Sequence, residues 1–256
     1  MIFNISNGPI RRVPILNANL PEDVSVTKVG TSVTFQVAIS AHGSPDEYTY
    51  QWFYDSTAVS GATGTSYTRE ADIGSHTVYC TVTNKAGTVK SRTATVKATT
   101  LYLYNAGDLC TDVTGGWKGT GVAYDSSIYT TKGVPKVTKN SSNMVIEPNA
   151  NLDASSGVYH TTNKINLSKY SRLYLDGNLI STSNTKSHVY IGIWSAFGAT
   201  QSNNRVAYVQ GLGDSVRSID VSGLTGSYYV GIFVFGDSKL ANVGGGKATV
   251  RKIYAK

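Results

Sequence analysis

His76-Thr77-Val78-Tyr79-Cys80-Thr81-Val82-Thr83-Asn84 alternates, with Val78, Cys80 and Val82 falling on one face and polar or amphipathic side chains on the other. A period of two sustained over this length is that of a half-buried strand. Lys85-Ala86-Gly87 then turns the chain, which returns from Thr88 to Val96 as the second arm of a hairpin. Upstream, Tyr50-Gln51-Trp52-Phe53-Tyr54 is a further strand with Trp52 inward, and Ser32 to Ile39 places Val33, Phe35, Val37 and Ile39 on one face. No window of a dozen residues carries apolar side chains at three-and-four spacing among good helix formers. The chain is expected to be all-β.

At 256 residues it has room for two β-sandwiches, since a domain usually takes roughly 100 to 150 residues. Charged residues are 15% of the sequence, against about a quarter in ordinary soluble domains, which leaves a surface suited to neutral hydrogen bonding. The net charge of +7 is uneven: 8 basic and 7 acidic groups (+1) in residues 1–100, and 15 basic and 9 acidic (+6) in residues 101–256. No basic run tracks a phosphate backbone, so no specific nucleic acid partner is expected. The two cysteines, Cys80 and Cys110, fall in different expected domains, so neither domain is stapled by a disulfide of its own. The sequence as given shows neither a signal peptide nor an apolar run of about 18 residues, and no membrane span is expected.

Around Trp52 the motifs become specific. Tyr50-Gln51-Trp52, the Asp72-x-Gly74 corner and Tyr79-Cys80-Thr81-Val82-Thr83-Asn84 followed by Ala86-Gly87 resemble a bacterial or phage immunoglobulin-like domain over about residues 13–98. The resemblance implies a sandwich in which the strand C aromatic, here Trp52, packs against the contact between strands B and F. The strand B position that would carry a disulfide partner holds Phe35 or Val37, and Cys80 lies two residues further from Asp72 than the usual spacing. Cys80 is therefore read as a small buried apolar residue, with Trp52, Phe35, Val37, Val78 and Val82 as the core. Residues 1–12 are an N-terminal arm, either a docking element or a frayed terminus.

Beyond Thr99-Thr100, residues 101–256 offer strand candidates at 101–104, 134–138, 143–147, 157–162, 172–179, 188–195, 205–210, 216–221, 227–235 and 247–255. That number of strands suits a two-sheet jelly roll. The order from Tyr170-Ser171-Arg172-Leu173-Tyr174-Leu175 through Val189-Tyr190-Ile191-Gly192-Ile193-Trp194 to Tyr228-Tyr229-Val230-Gly231-Ile232-Phe233 is similar to the galactose-binding-like jelly rolls used as carbohydrate-binding modules. The segment Leu103 to Trp117 resembles one found in tail-associated proteins of phages and prophages of Gram-positive bacteria. Together these imply a non-enzymatic virion accessory protein on tail or capsid that holds host surface glycans or cell wall beside other virion proteins. Affinity would come from an oligomeric or multivalent display. Two alternatives stand beside it, a structural decoration or fibre component without sugar binding and a bacterial surface adhesin.

The residues that carry chemistry favour gripping over turnover. His42, His76, His160 and His188 form no spaced metal motif, and no nucleophile elbow or phosphate-cradling loop occurs. Asp176 and Asp220 are the only acids within or beside strong strands that could act as a glycosidase pair. Asp108, Asp112 and Asp125 could supply oxygen ligands to a structural calcium, while no other cofactor is expected. The second domain holds 12 of the 17 tyrosines and two of the three tryptophans, the flat faces on which sugars stack. Trp117, in a Gly-rich segment expected to leave its indole partly exposed, is the first candidate, with Tyr124 and Tyr129 nearby. Tyr190, on the face opposite Ile191, Ile193 and Trp194, is expected to join Arg205, Tyr208 and Asn178 on a concave sheet surface.

Overall fold

A computed structural model describes residues 12–40, 47–123, 132–149, 156–181, 189–236 and 246–256. The chain divides into two compact units, Met1–Thr100 and Leu101–Lys256. The first is an immunoglobulin-like sandwich and the second a jelly-roll sandwich, so the architecture is all-β, as the alternation of side chains requires.

In the first unit the strands are β1 (Val24–Lys28), β2 (Ser32–Gln36), β3 (Thr49–Tyr54), β4 (Thr57–Ala58), β5 (Ser66–Glu70), β6 (Gly74–Asn84), β7 (Gly87–Lys90) and β8 (Ala94–Asn105), of which residues 94–100 belong here. β1 runs parallel to β8, while β8, β6, β3 and β4 pair antiparallel in that order and β7 completes a hairpin with β6. β2 pairs with β5 in the facing sheet. Asp55 and Ser56, between β3 and β4, both have positive φ (46° and 66°), the backbone of a two-residue hairpin turn whose twist matches that of the strands it joins.

Trp52 is fully buried directly opposite Cys80, with Phe35, Val37, Val78 and Val82 packed around it. Its indole nitrogen donates to the Gly64 carbonyl (2.9 Å). Cys80 is a buried free thiol, and burial pushes its pKa up to about 11. A thiol held in its neutral form behaves as a packing residue.

The second unit continues from residue 101 of β8 through α1 (Thr111–Thr114), β9 (Trp117–Gly121), β10 (Lys136–Lys139), β11 (Met144–Glu147), β12 (Ser156–Thr161), β13 (Ile165–Asn166), β14 (Arg172–Ile180), β15 (Val189–Trp194), β16 (Arg205–Val209), β17 (Gly213–Asp220), β18 (Ser227–Phe235) and β19 (Lys247–Ala255). One sheet runs β10-β11-β19-β14-β17, with Leu101–Asn105 paired to the end of β19. The other runs β16-β15-β18-β12-β9, with β13 on β18. Leu173, Leu175, Leu179, Val250 and Ile253 of the first sheet and Ile191, Ile193, Val230, Ile232 and Val234 of the second are all buried between them. Each expected strand segment of this unit corresponds to an observed strand; β9 and the short β13 are additional.

Candidate functional site

The outward face of the β16-β15-β18-β12-β9 sheet is unusual for a sandwich, because it too is built from aromatic residues. Register places Tyr208, Gly192, Gly231, His160 and Lys118 in one row across all five strands, and Arg205, Trp194 and Tyr229 in a row beside it. Tyr190, Trp194, Phe233, Phe235, Val122 and Val158 form a second buried cluster on this side, against which Phe197 packs. Gly192 makes the layer fit, since a Cβ there would stand 2.6 Å from the Trp194 ring. The indole lies flat on bare backbone.

Residues 195–204 strap this layer down. The Trp194 indole donates to the Gln201 carbonyl (3.0 Å), Ala123 donates to the Ala199 carbonyl (3.1 Å), and the Gln201 amide donates to the Ala123 carbonyl (2.7 Å). Phe197 reaches His160, Tyr229 and Trp194 at ring separations of 4.1, 5.1 and 5.6 Å.

At the β16 edge the layer opens to solvent. The Arg205 guanidinium lies 3.9 Å above the Tyr208 ring and 5.1 Å from that of Tyr190. Its Nη1 donates to the Tyr190 hydroxyl (2.9 Å) and to Gln201 Oε1, which also accepts from the Tyr190 hydroxyl. Stacking on an aromatic and bonding through one amino group immobilises a guanidinium while leaving its other donors available. Tyr190 is 2% exposed and serves as a post, whereas Tyr208 is 45% exposed and presents the contact surface.

His160 lies beneath Phe197 with both ring nitrogens engaged. Nδ1 donates to the Thr161 carbonyl (2.8 Å), and Nε2 accepts from the Thr120 hydroxyl (2.8 Å). Burial disfavours its cation and pushes the pKa down to about 4, and nearby Lys118 acts in the same direction. The ring is therefore a neutral packing element.

Of the residues expected to form the site, the structure brings together Tyr190, Arg205 and Tyr208. Trp117 departs from expectation: it lies in β9, is 9% exposed, and its indole donates to the Leu103 and Leu109 carbonyls (both 3.1 Å). The partly exposed indole expected from a Gly-rich loop is thus a buried strand residue. Asn178 is on the outward side of β14 in the opposite sheet, registered with Asp214 and Thr249, and does not join the cluster. Trp194 shares the Tyr190 face instead of the Ile191 and Ile193 face. Tyr124, Tyr129, Asp125, His42, His188 and residues 1–11 of the N-terminal arm lie outside the described residues.

Asp176 and Asp220 lie on one ladder, in the registered pairs Asp176↔Val216 and Arg172↔Asp220. Four residues at about 3.3 Å each separate those pairs by roughly 13 Å, beyond the about 9.5 Å upper span of a glycosidase pair. Asp176 is also ion-paired to Arg251. Among the described residues no group of three His, Cys, Asp or Glu side chains could hold a metal ion, and no helix is long and apolar enough to cross a membrane. A shallow cleft of about 430 Å³ beside Asp108, Lys139 and Asn140 holds one carboxylate, which accepts from the Cys110 amide (2.8 Å).

No protein-family model and no curated protein matches the chain. Among solved structures it is similar to the secreted serine protease VesC of Vibrio cholerae, at 10% identity and a TM-score of 0.32, over 94% of this chain and 51% of that one. The chain therefore spans about half the length of the protease. A low-affinity xylan-binding module, CBM86, of Roseburia intestinalis is similar at 12% identity and a TM-score of 0.31, over 55% of this chain and 94% of the module. A glucan-locus protein of Bacteroides ovatus, SGBP-B, solved with a mixed-linkage heptasaccharide, is similar at 11% identity and a TM-score of 0.20, over 91% of this chain and 50% of that one. All these TM-scores are below 0.5, and the fold assignment stands on strand order and register.

Proposed function

We propose that the chain is a non-catalytic virion accessory protein whose second unit grips glycans of the host surface at the β16 edge. The observation that carries the gripping role is the Arg205–Tyr208 stack, a half-exposed aromatic ring beside a guanidinium held by the Tyr190 hydroxyl and Gln201. Sugars present apolar C–H faces and a rim of hydroxyls, so an aromatic surface beside fixed hydrogen-bond donors matches both. Fixing the donors before binding lowers the conformational entropy lost on association. The wide separation of Asp176 from Asp220 supports binding without turnover. The virion context rests on the resemblance in Leu103 to Trp117, and weak single-site affinity would be raised by repeated copies.

Retention on purified Gram-positive cell walls and on a glycan array tests the reading. Tyr208→Ala is expected to lose at least ten-fold in retention with an unchanged thermal transition. Tyr254→Ala, on the outward face of the opposite sheet, is expected to retain wild-type binding. Undiminished retention by Tyr208→Ala would remove the β16 edge as the site; no retention by the wild-type protein on any surface would favour a structural role without sugar binding.

A further inference from the structure

The ligand of this site is specified further by the charges around it. The five strands of the sheet, Trp117–Gly121, Ser156–Thr161, Val189–Trp194, Arg205–Val209 and Ser227–Phe235, contain two charged residues, Lys118 and Arg205, and both are cationic. The strap over residues 195–204 contains no charged residue, and the turn after β12 adds Lys164, whose Nζ lies 5.4 Å from the Tyr229 ring. The described carboxylates of this unit lie off these strands: Asp176 and Asp214 bind Arg251, Glu147 binds Lys247 and Asp220 accepts from Ser222 on the opposite sheet or in its turns, while Asp108 and Asp112 fall in the segment between β8 and β9, where Asp108 accepts from the Cys110 amide.

Arg205 is thus a cation on an aromatic face whose strands supply no counter-ion. The Tyr190 hydroxyl and Gln201 Oε1 both take Nη1, and neither is anionic. Among the described residues Nε and Nη2 have no hydrogen-bond partner. These two groups form the side-on edge of a guanidinium, the edge that binds two oxygens of one carboxylate or phosphate in parallel. The ring of Tyr208 fixes the plane of that edge. Lysine could not reproduce this, because an ammonium is a point charge without a planar fork.

We infer that the glycan held at the β16 edge is anionic, carrying a carboxylate or phosphodiester that docks on Nε and Nη2 of Arg205 while an adjoining sugar ring contacts Tyr208. This inference rests on the glycan-binding reading of the same site, and it adds a charge requirement that neutral sugars fail. Because the pair is at the surface, the attraction is screened by salt.

Binding of the full chain is measured by calorimetry against three probes: polygalacturonate, the same polymer fully methyl-esterified, and purified poly(glycerol phosphate) teichoic acid. The acid form or the teichoic acid is expected to bind at least ten-fold more tightly than the ester. Arg205→Gln and Arg205→Lys should each bring the preferred probe to within about three-fold of the ester, with thermal transitions confirming that both variants fold. Preference for polygalacturonate alone identifies a carboxylate source, and preference for teichoic acid alone a phosphate source; either supports the inference. Equal binding of ester and acid, lost in Tyr208→Ala, overturns the charge requirement while leaving glycan binding in place. Failure of all three probes to bind removes both readings, and a preference that survives in Arg205→Lys overturns the fork.

Discussion

Acidification should loosen the second unit through His160. The side chain is 1% exposed and bonds to the Thr161 carbonyl and the Thr120 hydroxyl, and burial keeps it neutral, lowering its pKa from 6.5 to about 4 against the opposing pull of the Thr161 carbonyl. In the unfolded chain the imidazole takes up a proton as pH falls through about 6.5, whereas the folded protein resists until about pH 4. Between those values the unfolded state binds more protons, so stability falls as pH falls. Above pH 6.5 the contribution is complete, and below about pH 4 the loss levels off. A shift of this size corresponds to about 3 kcal/mol, or roughly 6 to 12 °C in the melting temperature of a unit this large. Urea unfolding of wild type and His160→Gln at pH 7, 6, 5 and 4 reads the effect directly. The variant should start less stable at pH 7 and lose about 3 kcal/mol less than wild type on going to pH 4. Parallel stability curves for the two proteins would refute the buried neutral imidazole.

His76 in the first unit should show the opposite sign. Partial burial works against its cation, but hydrogen bonds to Asp55 Oδ2 (2.6 Å) and the Ile73 carbonyl (3.0 Å) outweigh it and raise the pKa; its contribution is complete below about pH 6.5 and lost as pH rises through the raised value, which an NMR titration of the ring would locate above 6.5. Trp52→Ala should destabilise the first unit by about 3–5 kcal/mol, measured as the shift of its denaturant midpoint, with no change in glycan retention. Gly192→Ala places a methyl 2.6 Å from the Trp194 ring and should cost about 1–3 kcal/mol through overpacking, with a shift in indole fluorescence as Trp194 moves. Among the described residues Asn178 Oδ1 is buried without a hydrogen-bond partner, so Asn178→Leu should be neutral or stabilising by about 1 kcal/mol and should leave binding unchanged; a loss of binding would return Asn178 to the site.

Where side-chain parity alone decides, the sequence was legible. Trp52, Phe35, Val78 and Val82 fall on one face by counting in twos, and all are buried. The same parity joined Tyr190 to Tyr208, because β15 and β16 are neighbours in both sequence and sheet. Placing Trp194 on the face of Ile191 and Ile193 breaks the period of two, since an even-numbered residue beside Ile193 belongs with Tyr190. Trp117 was hidden by its glycines, which suggest a flexible loop. Gly119 instead permits close packing, since a Cβ there would stand 2.5 Å from a Val134 methyl. Asn178 shows a further limit: alternation assigns a residue to a face of its strand, but the choice of sheet depends on pairing between distant segments. Gln201 and Phe197 carry no periodic signal, because their roles arise from a strap folded back over the sheet. Glycine and tryptophan two residues apart at Gly192 and Trp194, a bare backbone site beneath a large ring, were the available hint.

The most direct test is an NMR titration of the isotope-labelled chain with anionic cell-wall polysaccharide fragments, following the Arg205 Nε–H signal and the backbone amides of both sheets. The strongest perturbations are expected at Arg205, Val206 and Tyr208, with a downfield Nε–H shift as the side-on edge takes an oxygen acceptor. Perturbations centred on Tyr102, Tyr174 and Tyr254 of the opposite sheet, with Arg205 unmoved, would contradict the account.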